Sequence, residues 1–275
     1  MIHVNAQGVE IPALGFGTWD LRGETATQMT ETALQIGYRH IDTAQAYANE
    51  LEVGRGLASS GVQRDEIFLT TKIWPDNFRN GDFQKAAAQS VERLGTVPDL
   101  LLLHWPNTDV PLEETIDAAN DAVTKGLTRH IGVSNFTVAM VEAARARSET
   151  PIVTDQVEYH PFLTQQTLLS HFATHKIALT AYCPLARGKV QDHSVLNRIG
   201  NSYSKSGGQI ALRWLVQQEG VIAIPRSSKE HHARSNFEIF DFALSDAEMN
   251  EISALGSPDG RLVSMASHAP AWDRP

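Results

Sequence analysis

Short apolar runs alternate with longer amphipathic stretches along almost the whole chain. Runs of strand character recur at 14–18 (LGFGT), 39–43 (RHIDT), 67–72 (IFLTTK), 100–104 (LLLLH), 130–135 (HIGVSN), 152–157 (IVTDQV), 177–182 (IALTAY) and 221–225 (VIAIP). The stretches between them carry helical periodicity. Phe83, Ala87, Val91 and Leu94 share one face over 82–94, with Gly95 placed to stop the helix. Leu112, Ile116, Ala119 and Val123 do the same over 112–125, ahead of Gly126. Helical patterns also cover 25–36, 138–147, 165–175, 208–218 and 229–236, and a capping box, Ser245-x-x-Glu248, opens a last helix carrying Met249, Ile252 and Leu255. At the start, HVNAQGVEIP reads as a hairpin around Gln7-Gly8 that ends at Pro12.

Eight strands alternating with about eight helices is the βαβ rhythm of a parallel sheet. Strands apolar on both faces suit burial between a core and a helical layer. The expected fold is α/β: one (β/α)8 TIM barrel domain over 1–275, with an N-terminal hairpin (1–12) and an irregular C-terminal tail (257–275). A doubly wound open sheet is the alternative. Against it, GFGTW is followed by DLRG, which lacks the third glycine of a dinucleotide-binding turn.

A formal charge of −9 argues against nucleic acid or an anionic membrane as the main partner. The one cysteine, Cys183, cannot form an internal disulfide, which fits a reducing cytoplasm. MIHVNAQGVEIP has neither the basic nor the apolar region of a secretion signal, and LLLLHW is too short to span a bilayer. The expectation is a soluble, cytoplasmic protein.

Barrel enzymes build their sites at the carboxyl ends of the strands, and four polar residues fall there: Asp42, Tyr47, Lys72 and His104. A carbonyl accepting a hydride needs a proton as its oxygen gains charge, and Tyr47 can donate one. Lys72 would lower the phenol pKa by favouring phenolate, Asp42 can orient Lys72, and His104 can position the carbonyl. Taken singly, each suits a structural role better, as an ion pair across the barrel mouth or a packing histidine. As a set on consecutive strand exits they describe proton-donating chemistry; the alternative is a catalytically silent barrel that binds and senses a cofactor, against which the intact set of four argues. Trp19, Trp74 and Trp105 follow strand exits too and could wall an apolar substrate pocket or simply pack in the core. His231-His232 and the lone His104 offer no ligand cluster of the kind a metal-dependent hydrolase wants at strand ends, so no catalytic metal is expected.

The segment 37–54, GYRHIDTAQAYANELEVG, resembles the hallmark stretch of the aldo-keto reductases. GFGTW, TTKIW, LLLLHWP, IGVSNF, QVEYHP and IPRSS resemble other family segments in the same order and spacing, across residues 10–240. The short connection after His104 is similar to the compact microbial, diketogluconate-reductase-like members. The resemblance implies a metal-free barrel enzyme that reduces a small-molecule carbonyl (an aldehyde, ketone or keto-sugar) as a monomer. It implies Tyr47 as general acid supported by Asp42, Lys72 and His104, with NADPH as cofactor. Ser134, Asn135 and Gln156 would hold the nicotinamide carboxamide and Tyr182 would stack on the ring. Thr18, Asp42, Pro184, Leu185, Ile224, Arg226, Ser227, Ser228, His232 and Asn236 complete the implied cofactor contacts. The tail, with Trp272, would fold over the site. His232 stands where the family usually places an arginine on the 2′-phosphate, and Ser235 replaces an acidic neighbour. Losing that permanent, bidentate charge makes NADH use plausible. Arg226, Lys229 and Arg234 are the cations that could carry the phosphate without it.

Overall fold

The computed structural model describes residues 2–274. Gln7 and Gly8 both take positive φ, 54° and 84°, as a tight hairpin with right-handed twist requires. They join β1 (His3–Ala6) to β2 (Val9–Pro12), antiparallel with Ala6 opposite Val9. Val4 and Ala6 are buried while His3 and Asn5 face out. Gln7 N–H donates to the Lys176 carbonyl just ahead of a barrel strand (3.1 Å), so the hairpin covers the end where strands begin.

Eight parallel strands follow in chain order around one sheet: β3 (Phe16–Gly17), β4 (His40–Asp42), β5 (Phe68–Ile73), β6 (Leu100–Leu103), β7 (His130–Ser134), β8 (Ile152–Glu158), β9 (Ala178–Tyr182) and β10 (Val221–Ala223). The last meets the first. Gly15 N–H donates to Ala223 O (2.8 Å), Gly17 N–H to Pro225 O (3.0 Å) and Ala223 N–H to Ala13 O (2.8 Å), which closes the barrel. An unpaired edge would leave such groups without partners. The open-sheet alternative is thereby excluded.

Among the described residues the outer layer holds α1 (Gly23–Ile36), α2 (Glu50–Ser59), α3 (Asp82–Leu94), α4 (Leu112–Thr124), α5 (Val138–Arg147), α6 (Gln166–His175), α7 (Ser194–Tyr203), α8 (Gly207–Gln217), α9 (Glu230–Phe237) and α10 (Asp246–Ser253). In α3 the apolar face buries Phe83, Ala87 and Leu94, and Gly95 ends the helix at φ 69°. Truncating fully buried Phe83 to alanine would cost about 3–5 kcal/mol.

Two helices, α2 and α7, go beyond the eight read from the sequence. In α2, Gly54 and Gly56 obscure the helical signal, but packing demands them. A Cβ on Gly54 would meet Leu94 O at 2.6 Å, and one on Gly56 would meet Thr27 O at 2.6 Å. These glycines let α2 press between α1 and α3.

Candidate active site

Lys72 is fully buried at the exit of β5, and its ammonium has three donors to satisfy. Nζ donates to Asp42 Oδ1 at 2.6 Å, to Thr43 O at 2.8 Å and to Tyr47 Oη at 3.3 Å. Three donors meet three acceptors. Since Lys72 can only donate, the Tyr47 oxygen must accept, which leaves the phenol proton free to point elsewhere. Tyr47 closes a 3-10 turn, Gln45–Tyr47, just past β4. Asp42 ends β4, and its second oxygen accepts from Gln156 Nε2 at 2.7 Å.

Burial pushes the Tyr47 phenol pKa up. Lys72 acts in the expected lowering direction but is outweighed by burial, while Asp42 adds to the rise. The cation is visible in the sequence and works as expected, whereas the depth of burial that outweighs it is not. The outcome is a phenol protonated at neutral pH. For Lys72 burial works downward, but Asp42 and Tyr47 together hold its pKa above the ordinary value. His104, one residue past β6, is 8% exposed, and its ring lies 5.7 Å from that of Tyr47 and 5.2 Å from that of Trp74. Burial, then the Lys72 charge, takes its pKa well below 6.5, so the imidazole is neutral.

Beside this group lies a neutral polar shelf. Ser134 Oγ donates to Gln156 O (2.7 Å), and Asn135 Nδ2 donates to His104 O and Ser134 Oγ (3.0 Å each). Tyr182 Oη donates to Asn135 Oδ1 at 2.8 Å, and Asn135 holds a left-handed φ of 65° that asparagine tolerates. Gln156 is therefore more than a shelf residue, since it also fixes Asp42. Thr18 Oγ1 donates to Asp42 O at 3.0 Å. Pro184 and Leu185 sit on the turn after β9, and Ile224 just past β10.

Beyond β10 the side chains become cationic. Arg226 donates to the carbonyls of Trp19 (3.1 Å) and Asp20 (3.2 Å), so its fork is committed to the first loop. Arg234 pairs with Glu230 at 2.9 Å. Ser227 Oγ accepts from Lys229 N–H at 3.0 Å ahead of α9, with Ser228 exposed next to it. His232 is exposed and packs on His231 at 4.2 Å. Its pKa is lowered by desolvation, then by His231 and Lys229. Asn236 is buried on the inner side of α9. Amide and hydroxyl groups at one end and guanidinium groups with a helix start at the other suit a dinucleotide, with its neutral carboxamide and anionic phosphates.

Of the tryptophans, Trp19 stands 58% exposed at the rim, Trp74 is half-buried and Trp105 is buried. The tail supplies their partners: His268 packs on Trp74 at 5.6 Å and Trp272 on Trp105 at 6.3 Å. Three residues the sequence reading passed over hold the tail there. Glu158, fully buried at the end of β8, accepts from Leu262 N–H (2.8 Å) and Val263 N–H (2.9 Å), and Arg261 lies 3.5 Å above the Trp272 ring. Asp273 takes the Val138 N–H at the start of α5 (2.8 Å). The available cue was a second acidic residue, after Asp155, at the end of a strand buried on both faces.

A family model described as the Aldo/keto reductase family matches residues 13–257. The chain belongs to the aldo/keto reductase family. Among the relatives of this reductase, Methylglyoxal reductase DkgB of Escherichia coli O157:H7 is 39% identical over 96% of this chain and 99% of its own length. Glyoxal reductase of Bacillus subtilis (strain 168) is 40% identical over 92% and 91%. A crystal structure provisionally described as a 2,5-diketo-D-gluconic acid reductase B superposes with a TM-score of 0.98 at 45% identity, over 100% of this chain and 98% of the other. The Bombyx mori aldo-keto reductase, solved in complex with NADP, gives 0.89 at 32% identity over 97% and 95%. The enzyme is thus a carbonyl-reducing oxidoreductase of a family that uses NAD(P)H. No helix among the described residues is long and apolar enough to cross a membrane.

Proposed function

We propose that this aldo/keto reductase reduces small, polar aldehydes and ketones, chiefly vicinal dicarbonyl compounds and keto-sugars, with Tyr47 as proton donor and NADPH as the favoured reductant. The observation that carries the reading is the saturated Lys72 ammonium, which turns the Tyr47 oxygen into an acceptor and leaves its proton free for the substrate. Trp74, His104, Trp105 and Trp272 offer flat aromatic walls that suit a compact substrate.

When bound, a reduced nicotinamide supplies the hydride. Ser134, Asn135 and Gln156 would hold its carboxamide, and Tyr182, fixed by Asn135, would support one ring face. Neutral His104 donates a hydrogen bond to the substrate oxygen and orients it toward Tyr47. As that oxygen gains negative charge, Tyr47 passes it a proton. The phenolate left behind is stabilised by Lys72, whose charge Asp42 balances. The tail, clasped by Glu158 and packed on Trp74 through His268, closes one side of the pocket. The enzyme works as a single-domain monomer, and its lone half-buried cysteine suits the cytoplasm.

NADPH oxidation followed with methylglyoxal, glyoxal, a diketogluconate and a simple aliphatic ketone tests this reading. Turnover of the dicarbonyls above the simple ketone is expected. No oxidation with any of the four would overturn it.

A further inference from the structure

We propose that Glu142, His171 and His175 form a binding site for one divalent transition-metal ion, bridging α5 and α6 on the outside of the barrel. It lies in the outer helical layer and shares no residue with the site already described. His171 and His175 are one helical turn apart on α6 and so present their rings on the same face. The rings stand 4.7 Å apart. From the neighbouring helix, Glu142 Oε1 reaches His171 Nε2 at 2.8 Å and His175 Nε2 at 3.9 Å. One donor atom from each residue lies within 4.8 Å of the others.

Two imidazoles and one carboxylate select zinc, cobalt, nickel or copper over calcium or magnesium, which want oxygen ligands. Bond lengths of about 2.0–2.2 Å put tetrahedral ligand atoms roughly 3.3 Å apart, so the widest pair must close by up to about 1.5 Å. The three side chains are 43%, 20% and 32% exposed, so they have room to turn. Arg145 now also donates to Glu142 Oε1. A doubly charged ion sharing the same carboxylate would displace this guanidinium. Water fills the fourth position.

The site's location gives it a role. His175 ends α6, and its carbonyl accepts from the Gln7 side chain of the hairpin. Gln7 N–H bonds the next carbonyl, that of Lys176, at 3.1 Å. An ion there ties α5 to α6 at the corner where the hairpin closes the barrel floor. It should brace the fold and leave turnover alone.

The test uses untagged, chelator-stripped enzyme titrated with Co²⁺ and Zn²⁺. Wild type should bind one Co²⁺ per chain with the visible bands of a four- or five-coordinate site. Zn²⁺ at a hundredfold excess over its Kd should raise Tm by about 5 °C. The double variant His171→Gln/His175→Gln, and separately Glu142→Gln, should lose the bands and most of the shift, with kcat/KM unchanged and circular dichroism intact. Absence of any Tm shift in wild type overturns the proposal. So does a shift kept in full by either variant, which would place the ion elsewhere.

Discussion

Gln156 and Asp42, 114 residues apart in sequence, meet at the barrel mouth, where the Gln156 amide donates to Asp42 Oδ2 at 2.7 Å while Lys72 holds Oδ1. Both oxygens of this buried carboxylate are therefore bonded. Gln156→Leu keeps the volume but strands one oxygen of a buried charge. Urea unfolding should show a loss of about 1–3 kcal/mol at an unchanged m value. Unchanged stability with only a raised KM for the cofactor would mean that Gln156 serves the carboxamide alone.

The depressed pKa of His104 makes stability depend on pH. The folded chain resists the proton, so the unfolded chain takes it up first as pH falls. The stability His104 contributes is complete above about pH 6.5 and declines below it, by up to about 1.4 kcal/mol per pH unit. Buried His40 is lowered too and adds to the trend, whereas Asp155, raised by burial, opposes it. His104→Gln isolates one share: its stability should fall less steeply than wild type between pH 6.5 and 5.5. Parallel slopes would contradict a neutral His104.

Glu158 is the clasp of the tail. Glu158→Ala removes the acceptor for Leu262 and Val263 N–H, so both amides should exchange faster with solvent and a protease should cut the tail sooner. Because His268 and Trp272 pack on the pocket tryptophans, KM for the carbonyl should move more than kcat. Equal amide protection in both proteins would show that aromatic packing alone holds the tail.

The proposed tolerance of NADH beside NADPH rests on His232. With Arg226 bonded to the first loop and Arg234 to Glu230, a 2′-phosphate would have to share both guanidinium groups with partners they already hold. In wild type the kcat/KM advantage of NADPH over NADH should stay below about a thousandfold, and His232→Arg should widen it by roughly 10–100-fold. A wild-type advantage already beyond that limit would mean that the existing cations grip the phosphate fully.

How much of this was legible in the sequence follows from where each contact comes from. Helix α3 could be read to its ends because Phe83, Leu94 and Gly95 lie within one short window. Helix α2 could not, since Gly54 and Gly56 answer to the Leu94 and Thr27 carbonyls, which no local pattern reveals. The strand-end positions of Asp42, Tyr47, Lys72 and His104 were visible, but the direction of the Tyr47 shift was not, because burial outweighs Lys72 only once the barrel closes. The Glu158 clasp joins residues 104 apart and left no trace beyond an acid at the end of a buried strand.

The most direct test of the whole account is single-turnover reduction of methylglyoxal by Tyr47→Phe. The ring and its packing on His104 remain and only the hydroxyl near Lys72 is lost. Reduction should slow by about 10²–10⁴-fold, with NADPH affinity, read by fluorescence quenching, unchanged. Reduction at the wild-type rate would show that the proton comes from elsewhere and would contradict the role given to Tyr47.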